Sequence, residues 1–307
     1  MTAVKPFSVP KSGDLFVDTV LERCEDLMES GIWDDFKLVR LETWMQNFHT
    51  QTEKYFAASV LDALIYRSER QTVALMKQIF QRVIPDQFRI ANVSSAIPRD
   101  WMECLSSKIA DPGVRLVPVI KNSDPPTKSG PLIARLYKRE FGLNEDWMCW
   151  PWQIKEVVAS GVRALLFVHD FLGSGKQFTD FCSQFEIAQY AESMQLIYAP
   201  LVAHEIGLGK VAQTIPTVLV CPAETLDGTY SLFSDNSRFF KDGENSAESI
   251  SAFYNDLLSR NHFPMGIQAR HGFGSLCVAY SFSHATPNNC TPILWRSTRN
   301  WNPLFDR

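Results

Sequence analysis

The sequence predicts an α/β fold in which a mainly parallel sheet carries helices on both faces and follows a helical N-terminal lobe. Apolar residues recur at three- and four-residue steps from Asp14 to about Phe80, which is typical of amphipathic helices. From about Gly113, short apolar runs alternate with amphipathic segments, and this alternation is typical of parallel βαβ units. We therefore expect a helical lobe at residues 1–110 and an α/β domain at residues 111–307.

The N-terminal lobe is predicted from two apolar faces and one capping signal. The residues that define the faces are Leu41, Trp44, Met45 and Phe48, and then Phe56, Val60, Leu64 and Ile65. Ser68 followed by Gln71 fits a capping box for a further helix, which Pro85 is expected to end.

The α/β domain is predicted from its apolar runs and turn residues. The expected strands are Leu116–Ile120, Ala164–Val168, Gln195–Ala199, Thr217–Cys221 and Ser275–Phe282. The expected helices are Pro131–Phe141, Ser174–Met194 and Ser246–Leu258, the last with Ser246 as its N-cap. The run Ala164–Val168 is apolar throughout, as in strands that are buried on both faces.

Composition narrows the class of protein. The net charge of −4 shows no basic bias, which argues against direct DNA binding. The seven cysteines include no C-x-x-C pair, so we expect reduced thiols and a cytoplasmic location rather than a zinc ribbon. No apolar run approaches the roughly 18 residues of a membrane span, and no membrane association is expected.

The most informative segment is LLFVHDFLGSGKQ, residues 165–177. A buried strand delivers the chain to the carboxyl edge of the sheet, where open α/β folds bind ligands. Asp170 can accept hydrogen bonds from two ribose hydroxyls, and we expect it to be exposed there. Gly173 and Gly175 allow backbone N–H groups to approach a phosphate at a helix N-terminus.

The spacing of residues excludes two commoner phosphate-binding loops, those of ATPases and of dinucleotide-binding proteins. The ATPase loop needs a glycine at position 170 and a Ser or Thr at position 177, where this chain has Asp170 and Gln177. The dinucleotide fingerprint needs a third small residue where Phe178 stands.

The segment resembles the phosphoribosyl-diphosphate loop of the phosphoribosyltransferases, which has four apolar residues, two acids, two apolar residues and a small Ser/Thr/Gly stretch. His169 replaces the first acid, which removes one carboxylate contact to the sugar, and Gln177 replaces the closing Ser or Thr. The resemblance implies that Asp170 positions the ribose and contacts Mg²⁺. The residues implied to line the phosphate and sugar site are His169, Gly173, Ser174, Gly175 and Lys176.

A second loop, Lys121–Gly130, follows the preceding strand, where that family handles pyrophosphate. The resemblance implies a phosphate contact for Lys121. A solvated loop with ordinary lysines explains the same residues equally well.

The C-terminal half carries a narrower resemblance. The runs PLVAHEIGLGKV (200–211), CPAETLD (221–227), HATPNNCTPILW (284–295) and WNPLF (301–305) are similar to a divergent phosphoribosyltransferase-like domain of prokaryotic conflict systems, including retron-associated ones. This resemblance implies an antiviral effector that acts on nucleotides, with a protein or ribonucleoprotein partner from the same defence locus.

Other polar residues follow predicted strands and are candidates for the same site. His204 and Glu205 could act as a base and its orienting group, or could form the first turn of a helix. Glu224 could accept from a base or ribose, or cap a turn. Asn288 and Asn289 could read a nucleobase edge, or form a Pro-Asn-Asn turn.

A tryptophan-rich segment, WMCWPW (147–152), fits either a base-stacking platform or a buried corner or partner interface.

Three functions follow from these features. The first is an enzyme, a transferase or nucleotide glycosidase, that binds phosphoribosyl diphosphate or a nucleotide with Mg²⁺ and reacts at the anomeric carbon. The second is a nucleotide sensor without chemistry, and the third is a partner-binding module in a defence complex.

Overall fold

The computed structural model describes residues 5–86, 101–107, 111 and 113–307. The chain forms two compact units. The terminal unit combines Met1–Arg70 with Asp227–Arg307, and the sheet unit is Gln71–Leu226. The domain boundary expected after residue 110 adjoins residues outside the described set, and it stays a prediction.

The described helices are α1 Gly13–Glu29, α2 Leu38–Met45, α3 Gln51–Asp62, α4 Glu69–Gln78, α5 Trp101–Ser106, α6 Ser129–Phe141, α7 Ile154–Ala159, α8 Lys176–Gln184, α9 Glu205–Thr214, α10 Ala247–Arg260 and α11 Ile267–Arg270. The described strands are β1 Ile65–Arg67, β2 Val114–Pro118, β3 Ala164–Leu172, β4 Gln195–His204, β5 Val218–Val220, β6 Glu224–Leu226 and β7 Tyr280–Phe282.

The N-terminal region is helical as expected, with two corrections. Ile65 does not continue a helix but begins β1, which pairs in parallel with β7 at Tyr280. A partner this distant along the chain leaves no trace in local periodicity. Pro85 does not end its helix, because residues 84–86 are still helical after a π-helical turn over Ile79–Val83. The N–H of Ile84 donates to the carbonyl of Ile79, which is the i−5 hydrogen bond of a π-helical turn.

The last predicted strand is also corrected. Only Tyr280–Phe282 is extended, while Phe273–Ser275 forms a 3₁₀ turn. This strand pairs with β1 in a two-stranded sheet and is not part of the main parallel sheet.

The aromatic core of the terminal unit joins both ends of the chain. The indole N–H groups of Trp44 and Trp301 both donate to the carbonyl of Ile293, at 2.8 and 2.9 Å. Phe48 packs edge-to-face on Trp301, with ring centroids 5.1 Å apart. These contacts place the WNPLF segment in the core of the unit.

A buried carboxylate, that of Glu53, lies in the first turn of α3. Glu53 accepts from the backbone N–H groups of His49 and Thr50, and Thr50 caps the helix in return. Arg260 of α10 donates to the same carboxylate at 2.7 Å. Burial raises the pKa of Glu53, but these hydrogen bonds outweigh burial and the pKa is lowered overall. Ser246 caps α10 as predicted, since its hydroxyl accepts from the N–H of Ser249.

The main sheet confirms the predicted parallel α/β fold. Its strand order is β2-β3-β4-β5, with β6 paired to β4, and every pairing is parallel. The strands β3 and β4 extend to Leu172 and His204, which is four or five residues beyond the predicted ends. Helix α8 is shorter than predicted and ends at Gln184, before a 3₁₀ turn over Ile187–Tyr190.

Helices cover the sheet. On one face, Leu165 and Phe167 of β3 share a core with Phe178 and Phe181 of α8. The intervening residues Leu166 and Val168 point to the opposite face, as alternation along a strand requires. Helix α6 packs against β2 and β3. None of the described helices is long and apolar enough to cross a membrane.

Candidate functional site

The carboxyl end of β3 holds the two polar residues at the centre of the predicted loop. His169 and Asp170 lie within the strand, because β4 continues beside them and pairs His169 with Pro200 and Phe171 with Val202. Asp170 is only 6% exposed, so the expectation of an exposed carboxylate at the strand end is wrong. The sequence did not show that β4 would extend this far and cover the position.

The loops after β2 and β3 meet at Asp170. The hydroxyl of Ser129, the first residue of α6, donates to Asp170 Oδ1 at 2.8 Å. The backbone N–H of Phe171 donates to the same oxygen at 2.8 Å. The carboxylate also lies at the N-terminus of α6, where the helix dipole favours a negative charge. The two loops that the sequence assigned to one ligand therefore converge.

His169 is buried between side chains of the neighbouring elements. Its Nδ1 lies 3.3 Å from the hydroxyl of Tyr198, and its Nε2 lies 3.4 Å from the side-chain amide of Gln177. Its Nε2 is also 3.4 Å from Asp170 Oδ1. Burial lowers the pKa of His169, the Asp170 carboxylate raises it and the charge of Lys128 lowers it, and the pKa is lowered overall. The imidazole is therefore neutral at pH 7.

The turn from β3 to α8 depends on glycine. Gly175 is the N-cap of α8 and has φ +82°, a left-handed conformation that side chains rarely adopt. On α9, a Cβ on Gly207 would lie 2.4 Å from the carbonyl oxygen of Gly173. These glycines allow the turn to rest directly on α9, so the N-terminal turns of α8 and α9 lie side by side.

Two lysines share one carboxylate beside this turn. Lys176 Nζ lies 2.9 Å from both carboxylate oxygens of Asp180, and Lys121 Nζ lies 3.6 Å from Oδ2. The hydrogen bond from Lys176 outweighs the effect of burial, and the pKa of Asp180 is lowered. Lys121 comes from the loop after β2 and Lys176 from the turn after β3, so both loops place a cation at this point.

The remaining candidate site residues of the sheet unit differ in burial and position. His204 is buried, ends β4 and caps α9, since its Nδ1 accepts from the N–H of Ile206 at 3.2 Å. Glu205 is exposed in the first turn of α9, and Ser174 is half-buried in the glycine turn. Glu224 is half-buried and opens β6 opposite Val202. Catalytic or ligand-binding roles for these residues stay predictions.

Asn288 and Asn289 belong to the terminal unit. The Asn289 side-chain amide donates to the carbonyl of Phe273 at 2.7 Å, and the Asn288 carbonyl accepts from the Phe273 N–H at 2.7 Å. Both residues thus hold a turn of that unit together, and nucleobase reading by them stays a prediction.

Sequence reasoning assigned no site contact to four residues: Ser129 and Gln177, which lie in the two predicted loops, and Asp180 and Tyr198, which it did not consider. One signal was present, because Lys176 and Asp180 are four residues apart and i,i+4 pairs of opposite charge face each other on a helix. Tyr198 and Ser129 meet their partners only through strand pairing and loop convergence, so no local signal existed for them.

The predicted magnesium contact rests on one carboxylate. The described residues include no group of three or more His, Cys, Asp or Glu side chains suited to hold a metal ion. Mg²⁺ usually takes one or two protein carboxylates and completes its shell with water and ligand phosphates. A magnesium contact by Asp170 stays a prediction.

A parallel sheet with a buried aspartate and a glycine turn at the carboxyl end of an inner strand is consistent with a phosphoribosyltransferase-like domain. The chain belongs to the PRTase-CE family, because the model of that family matches residues 41–307. The match includes residues of both compact units. No curated protein and no solved structure matches the chain.

Proposed function

We propose that this phosphoribosyltransferase-like protein binds a ribose-5-phosphate group, in phosphoribosyl diphosphate or in a nucleotide, at the carboxyl edge of its main sheet. The observation that supports this most is the convergence of the loops after β2 and β3, through Ser129 with Asp170 and Lys121 with Asp180. Asp170 would position the ribose hydroxyls, and the turn from Gly173 to Lys176 would hold the phosphate.

The electrostatics of this edge suit an anionic sugar. The N-terminal turns of α8 and α9 lie side by side, and helix N-termini attract phosphate through free N–H groups and partial positive charge. Lys121 and Lys176 add two cations. A bound phosphate would replace the Asp180 carboxylate as their partner, which keeps the charge of the site balanced.

The chemistry that this arrangement supports is substitution at the anomeric carbon. The bond from that carbon to its leaving group breaks, the leaving group keeps the electron pair, and an incoming nucleophile forms the new bond. The sugar becomes cation-like on the way, and the Asp170 carboxylate would stabilise that charge. Mg²⁺, when bound, would neutralise charge on the leaving phosphate. Of the two candidate proton carriers, Glu205 is exposed and His204 is buried as a helix cap.

The test is ligand binding followed by product analysis. The full-length protein is titrated calorimetrically with ribose 5-phosphate and with phosphoribosyl diphosphate, each with and without MgCl₂. It is then incubated with phosphoribosyl diphosphate and a nucleotide pool, and the products are identified by mass spectrometry. We expect saturable binding that Asp170→Asn abolishes or weakens by at least about tenfold. Absence of binding to both sugar phosphates would overturn the proposal.

A sensor without chemistry is the second candidate, and one observation favours it. His169 occupies the place of the first acid of the phosphoribosyltransferase loop, and it is buried against Tyr198 and Gln177 as a neutral imidazole. The edge therefore presents one carboxylate where two are expected. Binding without turnover in the experiment above supports the sensor, and turnover that depends on Asp170 supports the enzyme.

A role in antiviral defence, with a protein or ribonucleoprotein partner, is proposed from the resemblance to conflict-system domains. The first 40 residues lie outside the family match. They include exposed apolar side chains on or next to α1 and α2, namely Leu15, Ile32, Leu38 and Val39. Exposed apolar groups of this kind are common at protein interfaces. Co-expression with the neighbouring genes, followed by affinity purification of Leu15→Glu and wild-type chains, tests whether Leu15 contributes to binding a partner.

A further inference from the structure

Two tryptophans of the sheet unit lie exposed and stacked on each other. The rings of Trp150 and Trp152 have centroids 5.0 Å apart and planes 7° from parallel. Their exposed fractions are 42% and 56%, although tryptophan is usually well buried. The fold does not need these indoles for its core.

The backbone around the pair is well fixed. Pro151, which separates the two tryptophans in the sequence, is buried and begins a 3₁₀ turn. The side chain of Gln153 accepts from the N–H of Trp150 at 2.8 Å, and the N–H of Gln153 donates to the Trp150 carbonyl at 2.9 Å. A rigid backbone holds the rings in place without a ligand, which lowers the entropy cost of stacking a planar group on them.

Trp150 forms one wall of a groove of about 650 Å³. The other wall is one face of α6, which presents Pro131, Arg135 and Lys138 at four- and three-residue spacing. The volume is in the range of pockets that hold small organic ligands.

The charge of this groove is positive. Its lining contains three cations, Lys128, Arg135 and Lys138, and one carboxylate, Glu145, which is paired with Lys138. Among the described residues, Lys128 and Arg135 have no carboxylate within ion-pair distance. A flat aromatic wall beside uncompensated cations suits a ligand that combines a planar ring with anionic or electron-rich acceptor groups.

The groove adjoins the ribose-phosphate site. Lys128 lines the groove and precedes Ser129, whose hydroxyl is bonded to Asp170. A ligand whose ribose contacts Asp170 could therefore extend past Lys128 toward Trp150.

We propose that this groove is a base-binding subsite, in which the heterocyclic base of a nucleotide stacks on Trp150 and accepts hydrogen bonds from Arg135. This inference rests on the proposed ribose-phosphate function and narrows it, because the ligand class becomes a nucleotide rather than a sugar phosphate without a base. Trp152 stacks behind Trp150 and acts as a positioning residue. The bases of a single-stranded nucleic acid could also stack on Trp150, and the experiment distinguishes such a strand from a free nucleotide.

The experiment measures calorimetric affinities of the full-length protein for ribose 5-phosphate, for AMP, GMP, CMP and UMP, and for oligo(dT). We expect at least one nucleotide to bind on the order of tenfold more tightly than ribose 5-phosphate, since base stacking on an aromatic side chain has about this effect. Trp150→Ala should remove that advantage and leave ribose 5-phosphate binding unchanged, and Trp150→Phe should keep most of it. Ile267→Ala, at an exposed apolar residue of the terminal unit, is the control and should leave all of these affinities unchanged.

The outcomes distinguish this inference from the function on which it rests. Equal affinity for nucleotides and ribose 5-phosphate, or equal losses for both in Trp150→Ala, would overturn the base subsite and leave the sugar site standing. Nucleotide binding that requires Trp150 but not Asp170, with no ribose 5-phosphate binding, would overturn the sugar site. Oligo(dT) binding that is tighter than nucleotide binding and requires Trp150 would replace the nucleotide with a single strand and overturn the inference. Thermal unfolding of each variant checks that these exposed substitutions leave the fold intact.

Discussion

A Cβ atom on Gly207 would lie 2.4 Å from the carbonyl oxygen of Gly173 and 2.9 Å from the Leu172 side chain. This close approach seats the turn after β3 on helix α9, and it makes Gly207 part of the support for the proposed phosphate site. Substitution of Gly207 tests this contact, and Gly209 in the same helix provides the matched control.

Gly207→Ala should displace the turn, because the contact is with backbone that a side-chain rotation cannot relieve. We expect a loss of about 1–3 kcal/mol in the free energy of unfolding, measured by urea denaturation, together with weaker binding of ribose 5-phosphate. Gly209→Ala is the control, since a Cβ there meets nothing within 4 Å. Alanine favours helix over glycine, so the control should be neutral or slightly stabilising. Equal behaviour of the two variants would contradict the packing of the turn on α9.

Ser129→Ala removes the 2.8 Å hydrogen bond to Asp170 and leaves a buried carboxylate with one donor fewer. A hydrogen bond to a charged group of this kind contributes about 1.5 kcal/mol or more. The expected result is a loss of that size in the free energy of unfolding, because Asp170 stays buried in the variant. Ser123→Ala, in the exposed loop after β2, should have no effect and serves as the control. An unchanged stability in Ser129→Ala would show that the hydroxyl does not support Asp170.

Asp180→Asn should strengthen binding of ribose 5-phosphate by roughly threefold at low ionic strength, because the carboxylate competes with phosphate for Lys121 and Lys176. The gain should fall as salt screens the charges, which calorimetric titration at two NaCl concentrations can measure. Glu192→Gln is an exposed charge change elsewhere in the sheet unit and should have little effect. If Asp180→Asn instead weakens binding, the carboxylate orients the lysines rather than competing with the ligand.

Glu53→Gln should destabilise the terminal unit at pH 7 by about 1–2 kcal/mol, because the ionised carboxylate accepts from Arg260 and from two backbone N–H groups. The folded-state pKa of Glu53 is lowered, so its stabilisation is complete above the unfolded pKa of about 4.3 and is lost as the pH falls below it. The difference between Glu53→Gln and wild type in urea denaturation should therefore shrink between pH 7 and strongly acid conditions. Glu42→Gln, at an exposed residue of α2, is the control and should leave the free energy of unfolding at pH 7 unchanged. A pH-independent difference would rule out the lowered pKa.

Local patterns predicted a large part of this protein. The continuous apolar run at 164–168 and the alternation of strands with helices predicted the parallel sheet, and the order of apolar, acidic and glycine residues predicted a turn that opens a helix at the end of β3. These features depend on neighbours in sequence, because side-chain periodicity and turn chemistry are properties of short segments.

Contacts between residues that are distant in sequence could not be predicted from local patterns. The ends of the chain join in one unit, Ile65 pairs with Tyr280, and Trp44 shares a carbonyl with Trp301. None of these contacts has a local signature, since each is formed by segments that lie more than 200 residues apart along the chain.

At the site, the sequence by itself determined which residues arrive at the carboxyl edge: Asp170, the glycine turn and the lysines of two loops. Only the tertiary structure decided that Asp170 is buried beside Ser129, that His169 is a neutral residue against Tyr198, and that the turn after β3 rests on Gly207. The physical reason is that burial and pKa depend on every element packed around a group, whereas strand and turn propensities act within a few residues of chain.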